Sequence, residues 1–256
     1  MAIGGIISGV LFLGFGAWLL YSGLSGISAR KRVLFTPTTP VREIAPGPAE
    51  LLGKSEPIHP DLLDPVFKRP CCYYELSVEI EHRARKSKKR DKEWRQLYSE
   101  SSHDKIFYCA DSTGRVVVMP VGPEAHLRGE IDRRENMDKA RKRRKADPVL
   151  SYLLAFEKDN IGLLHRITGY RGVIRLHMKV LRHEEPLYVL GRAIHHPNPP
   201  RGAAPFYIGG DGEAPVILGS TEKYVLSRLE KISMAKIITA PFLCLGGILS
   251  LWQALA

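Results

Sequence analysis

The two ends of this chain carry no charge. Residues 2–29 contain no Asp, Glu, Lys or Arg, and neither do residues 237–256. All 38 basic and 27 acidic residues therefore fall between Arg30 and Lys236. A stretch of about 20 apolar residues, rising about 1.5 Å each, crosses a hydrocarbon core of about 30 Å. Both ends meet that length. The pattern predicts a transmembrane helix at residues 1–29, another at 237–256, and one soluble domain, 30–236, held between them. The slightly negative mean hydropathy is an average of apolar ends and a polar middle, and describes neither.

A cleaved signal peptide would place positive residues ahead of a short apolar core. Here Arg30-Lys31-Arg32 follows the apolar run, so an uncleaved anchor is expected. Lys and Arg near span ends favour the cytoplasmic side. Arg30, Lys31 and Arg32 follow the first span, and Arg228, Lys231 and Lys236 precede the second. Both clusters put the central domain on one side. The expectation is a multi-pass protein of the plasma membrane with its central domain cytoplasmic. Cys71, Cys72, Cys109 and Cys244 lack the spacing of a secreted disulfide framework, which agrees with that side. The pair Gly5 and Gly9 offers a weak helix-packing motif in the first span.

Eight prolines between Pro37 and Pro70 forbid a long helix there. Residues 49–54 read as a short strand. From Cys72 to Glu81, Cys72, Tyr74, Leu76, Val78 and Ile80 alternate with Tyr73, Glu75, Ser77, Glu79 and Glu81. A period of two buries the first set and leaves the second in water. Residues 94–98 supply its return partner. Residues 106–110 and 115–119 flank Asp111-Ser112-Thr113-Gly114, a hairpin signature in which Gly114 can take positive φ. Further strands are expected at 173–181, 187–194 and 206–208, and helix across 123–156. Ser220 is placed to cap a helix whose Val225, Leu229 and Ile232 share one face.

Nearly all of the net +11 charge sits in two segments. Residues 82–95 hold eight basic side chains against two acidic ones, and 126–147 hold nine against five. Solvated excursions from the scaffold are the plain reading. Contact with anionic lipid headgroups is the next, since each basic side chain near that surface contributes about 1 kcal/mol. An acidic protein partner would meet the same charges. Nucleic acid fits poorly, because only Trp94 and Tyr98 interleave aromatics with the bases. The candidate contacts are Arg83, Arg85, Lys86, Lys88, Lys89, Arg90 and Lys92 in the first segment, and Arg141, Lys142, Arg143, Arg144 and Lys145 in the second.

Catalytic signatures are missing. Asp111-Ser112-Thr113-Gly114 has one residue more than the aspartic-protease loop, and no second loop accompanies it. His195-His196 has no further ligand at metal spacing. No phosphate-binding loop, dinucleotide fingerprint or nucleophile elbow occurs. Neither a catalytic residue nor a cofactor or metal is expected.

Several blocks together carry a resemblance. Pro46-Gly47 and Ala49-Glu50-Leu51-x-Gly53 come first, then Arg69-Pro70-Cys71-Cys72-Tyr73-Tyr74. Phe107-Tyr108-x-x-Asp111-x-Thr113-Gly114-x-Val116-x-Val118-x-Pro120 follows, then Leu187-Tyr188-Val189-x-Gly191-x-Ala193 and Pro205-Phe206-x-Ile208. In this order, over about 41–226, the chain resembles the GIDE-type domain of the Mulan family of membrane-associated E3 ubiquitin ligases. The resemblance implies a domain beside a membrane, between two spans. Eukaryotic members continue into a zinc-binding RING, whose paired Cys-x₂-Cys ligands this sequence does not contain. It also implies that the strands form part of a partly open barrel of the OB type. The expected fold is thus mainly β, with a basic helical insertion and two flanking transmembrane helices. The expected function is a membrane-anchored binding or scaffolding module without a catalytic site of its own. The alternative is a ligase-family component acting with a separately encoded RING or conjugating partner.

Overall fold

The computed structural model describes residues 2–83, 92–121, 124–127, 131–143, 147–167, 170–210 and 215–255. The chain divides into two compact units, Met1–Thr38 with Thr221–Ala256, and Thr39–Ser220. Helix α1 (Ala2–Phe35) opens the first unit.

In the second unit a 3-10 turn, Val41–Glu43, leads into β1 (Gly47–Pro57). An excursion then supplies β2 (Tyr73–Arg83) and β3 (Lys92–Ser101) before the hairpin β4 (Phe107–Asp111) and β5 (Gly114–Val118). A second excursion holds β6 (Glu124–His126), β7 (Ile131–Asn136), α2 (Met137–Ala140), α3 (Pro148–Asp159), α4 (Ile161–Arg166) and β8 (Tyr170–Leu181). The unit ends with β9 (Pro186–His195), β10 (Phe206–Gly209) and β11 (Ile217–Gly219).

β1 pairs with both β4 and β9, which closes the ring β1-β4-β5-β10-β9 into a five-stranded barrel. Within it β5 and β10 run parallel, and the other neighbours are antiparallel. Closure demands two close backbone approaches. A Cβ on Gly53 would stand 2.4 Å from the Ala110 carbonyl oxygen, where β1 passes from one neighbour to the other. At Gly191, where β9 passes from pairing with β11 to pairing with β10, a Cβ would meet the Gly209 carbonyl oxygen at 2.9 Å. No L side chain fits either position without moving backbone. The barrel core takes alternate residues of these strands, among them Leu51, Phe107, Cys109, Val116, Val118 and Val189.

The two excursions meet in a second, antiparallel sheet of order β3-β2-β8-β7. One face packs Leu76, Val78, Ile80, Leu176 and Met178 against residues of α3 such as Leu153, forming a separate core. The segment entering β2 joins the two cores. Cys71 and Tyr74 belong to the second core, Cys72 and Tyr73 to the barrel's. Tyr73, expected in water, is fully buried. Glu81, also expected in water, is 2% exposed, because the Arg134 guanidinium of β7 pairs with it.

Helix does not extend across 123–156. It occupies Met137–Ala140 and Pro148–Asp159, while 124–126 and 131–136 form strands. β7 is polar apart from Ile131, which packs against the second core, and its charges meet opposite charges on β8 and β2 (Asp132 with Arg175, Arg134 with Glu81). The helices that do form start conventionally: Asn136 accepts from the Lys139 amide, and Asp147 from the Val149 amide ahead of Pro148. With the long terminal helices the protein is mixed helix and sheet rather than mainly β.

At the β4–β5 turn Gly114 does not adopt positive φ. Asp111 does the turn's work. Its Oδ1 accepts from the Thr113 amide at 2.7 Å, the Thr113 hydroxyl at 2.6 Å and the Gly114 amide at 3.0 Å. Its Oδ2 accepts from the Val41 amide at 2.8 Å. Burial pushes this carboxyl up, but the hydrogen bonds together outweigh it and hold Asp111 below the usual carboxylate range. A depressed folded pKa stabilises above the unfolded value of about 4 and is lost as pH falls through the folded one. The hydrogen-exchange protection of the Val41, Thr113 and Gly114 amides, corrected for the intrinsic pH dependence of exchange, should therefore fall on acidification below about pH 4. In Asp111→Asn that acid dependence should vanish, with faster exchange at every pH.

Helix α5 (Glu222–Leu255) completes the first unit. Thr221, not Ser220, caps it, its Oγ1 accepting from the Tyr224 amide at 3.3 Å. Val225 and Leu229 are buried on one face, as their spacing predicts. α1 and α5 lie antiparallel: Gly9 meets Leu251, Gly16 meets Cys244, Gly23 meets Ile237, and Arg30 pairs with Glu230. Both helices are long and apolar enough to cross a membrane. Ser8 and Ser250 share a hydrogen bond of 2.8 Å between them.

Candidate functional site

The basic residues singled out in the sequence fall into three groups. Arg83 ends β2 opposite Lys92, which opens β3. Arg85, Lys86, Lys88, Lys89, Arg90, Arg144 and Lys145 lie outside the described residues. Arg141, Lys142 and Arg143 follow α2, where the two arginines serve internal acids. Arg141 donates to Glu157 at 2.8 Å and to Asp138 at 3.1 Å, and Arg143 reaches Glu135 at 3.0 Å. Glu157 and Glu135 are buried, so these guanidinium groups, about half exposed, add charge pairing to carboxylates that also accept from Tyr170 and Arg133 respectively. Lys142 is exposed.

A different surface gathers more chemistry, namely the face of the second sheet turned away from its core. A bulge creates it. Opposite Val78 and Glu79, β3 inserts Leu97, so the residues facing outward are Trp94 and Gln96 before it and Ser99 and Ser101 after it. The shift sends Tyr98 toward Phe156 and leaves small hydroxyl residues beside Ser77. The result is a groove of about 360 Å³ whose lining includes Ser77, Gln96, Ser99, Ser101, His103 and His177.

A hydrogen-bonded chain borders it. The Tyr73 hydroxyl donates to Glu75 Oε1 at 2.5 Å and lies 3.1 Å from His103 Nδ1, and Lys179 Nζ donates to Glu75 Oε2 at 3.2 Å. Burial first, then Glu75, pushes the Tyr73 hydroxyl far up, so it remains a donor and not a nucleophile at neutral pH. On the next rung Arg175 grips Asp132 with two bonds, 2.7 and 2.5 Å, and that contact holds Asp132 below the usual range. The Arg134 and Arg175 guanidinium groups both lie over the Trp94 ring, at 5.3 and 5.6 Å.

His177 faces Ser77 across the strands, with Asp132 3.6 Å from its Nδ1. The set resembles a hydrolytic triad only in composition. His177 Nε2 lies 3.5 Å from Glu79, and no hydrogen bond joins it to Ser77. The groove presents several hydrogen-bond donors and acceptors to solvent.

Other candidates have structural partners. Cys71, Cys72 and Cys109 are buried, and burial pushes each thiol up to about 12. His195 and His196 pack edge-on to Phe206 and Tyr207. Among the described residues no group of three or more His, Cys, Asp or Glu is placed to hold a metal ion. Sequence reasoning missed the groove. The only hint was the break in alternation at Leu97-Tyr98. Comparison with models of known protein families, with curated proteins and with solved structures found no match.

Proposed function

We propose that this chain is a membrane-anchored binding module, in which the α1–α5 hairpin crosses the bilayer and presents Thr39–Ser220 at the cytoplasmic face of the plasma membrane. The observation that carries this reading is the hairpin. Its two uncharged stretches lie side by side, and their outer faces expose Leu11, Trp18, Phe242 and Trp252. Lys236 Nζ donates to Ser22 Oγ at 2.7 Å, which marks one level on both helices. Beyond that level toward the termini each helix has about 20 uncharged residues, or about 30 Å at the helical rise, which matches a hydrocarbon core. All the hairpin's charges lie on the other side of it. The span within α1 is accordingly nearer 2–21 than 1–29.

The barrel's strand order and its parallel β5–β10 pair agree with an OB-type barrel, with the second sheet inserted in its connections. Such barrels bind ligands on their faces and loops, which favours recognition over catalysis. The kinship with GIDE-type domains is part of the same proposal. Gly53, Gly191 and Asp111, three residues of the resembling blocks, each meet a demand of the backbone. Those blocks therefore speak for a shared fold. They do not by themselves favour the ligase-component alternative, for which recovery of a RING or conjugating protein from native membranes is the discriminating result.

The test is accessibility. Three native cysteines are buried, so replacing Cys244 leaves a nearly silent background. One cysteine at Ser87 should then react with a membrane-impermeant maleimide only after cells are opened. Labelling of intact cells would overturn the orientation, and release of the protein by alkaline carbonate would overturn the anchoring.

A further inference from the structure

A second cavity belongs to the barrel itself, where the β4–β5 turn, the Val41–Glu43 turn and the loop before β10 meet. It measures about 400 Å³, within the range of small-ligand sites. Its floor is apolar: Val41 and Ile44 belong to the barrel core, and Ala204 and Phe206 pack against that core. Two arginines, Arg42 and Arg115, line the same space, and no carboxylate does among the described residues.

The two arginines differ. Arg115 is committed, its Nη2 donating to the Arg201 carbonyl at 2.9 Å and its guanidinium lying 4.7 Å above the Tyr108 ring. Arg42 is fixed by its backbone, whose amide donates to Thr113 Oγ1 at 3.0 Å. Its guanidinium has no hydrogen bond or ion pair among the described residues. The nearby Asp111 makes no ion pair with it, and its two oxygens accept from the turn's amides and the Thr113 hydroxyl instead. A free planar donor fork thus stands beside an apolar floor.

We infer that this cleft binds a small amphiphilic carboxylate, with the acid group on Arg42 and the apolar body over Val41, Ile44 and Phe206. A bidentate guanidinium–carboxylate pair supplies orientation, and removal of apolar surface from water supplies affinity. A neutral isostere would leave the fork unpaired. The site does not require the hairpin to cross a bilayer, so it stands or falls apart from the anchoring proposal.

The full chain in lipid nanodiscs can be titrated with para-(trifluoromethyl)phenylacetate, following the fluorine NMR linewidth against empty nanodiscs. The acid should broaden and its primary amide should not. Arg42→Ala should weaken binding about tenfold, as expected for a lost charged hydrogen-bond pair, and Arg42→Glu should abolish it. Ala204→Phe, which fills the cleft and leaves both arginines, should also abolish it. Because Arg42 is exposed, its variants test the site even if the filled cleft perturbs folding. Equal binding of acid and amide, no binding by the wild-type chain at millimolar acid, or unchanged binding in Arg42→Glu would each overturn the assignment.

Discussion

Asp64→Ala is expected to destabilise the central unit by about 3–5 kcal/mol, the range for breaking a buried charged network by removing one partner. Asp64 is fully buried. Its Oδ1 accepts from the Val66 and Phe67 amides at 3.1 and 2.6 Å. Its Oδ2 accepts from the Arg69 amide and from Arg182 Nη1, each at 3.3 Å. Alanine would leave these donors without an acceptor, and each buried donor left so costs about 1–3 kcal/mol before relaxation.

The loop so held has a specific task. Lys68 sits at φ 54°, a left-handed conformation that a non-glycine residue adopts only when its surroundings enforce it. Its amide donates back to the Asp64 carbonyl, and the Asp64 amide to the Arg69 carbonyl. The following residues then enter two different cores, Cys71 and Tyr74 one, Cys72 and Tyr73 the other. Losing the loop should loosen both cores together. Urea unfolding of the full chain in nanodiscs, followed by Trp94 fluorescence after Trp18 and Trp252 are changed to Phe, reads this directly. Asp64→Asn, which keeps the shape and some acceptors, should fall between wild type and alanine. A loss below about 1 kcal/mol in Asp64→Ala, the size of one ordinary hydrogen bond, would exclude the network role.

What could be read in advance follows from how local each cause is. β2 and β8 alternate along most of their length because one side of each strand faces a core, and such alternation survives in the sequence; β4, β5 and β9 carry runs of consecutive buried residues and show instead as short apolar stretches. The Asp111 turn was also visible, although its stabiliser is the carboxylate rather than the glycine. β7 was not visible. Its residues Ile131-Asp-Arg-Arg-Glu-Asn136 look like a solvated helix, and only β8 and β2, distant in sequence, supply the opposite charges that make it a strand. The candidate groove was hidden for the same reason. It needs a one-residue bulge at Leu97 and the neighbour β8, roughly 80 residues further on, to bring Ser77, Ser99 and His177 to one face. Asp64 likewise looks unremarkable until Arg182 arrives from the far end of β8.

Gly16→Leu is expected to separate α1 from α5. In a bilayer no hydrophobic drive holds two apolar helices together, so close packing at small residues must do it. Gly9, Gly16 and Gly23 recur every seven residues, about two helical turns, and so share one face. A Cβ on Gly16 would stand 2.6 Å from Cys244 Sγ and 3.3 Å from the Ala240 carbonyl oxygen, which is backbone and cannot rotate away. Leucine would add three more carbons there, and overpacking of this kind costs about 1–3 kcal/mol or more. Gly14 supplies the control, since nothing lies within 4 Å of its Cβ position. Cysteines at Ser8 and Ser250, whose hydroxyls are 2.8 Å apart, should form a disulfide on oxidation in a Cys244→Ser background. Gly16→Leu should cut that yield several-fold, and Gly14→Leu should leave it unchanged. Equal yields in the two variants would mean that the glycine face does not hold the hairpin. In that case polar contacts such as the Lys236–Ser22 hydrogen bond, rather than close approach at small residues, would be left to hold the two helices in register.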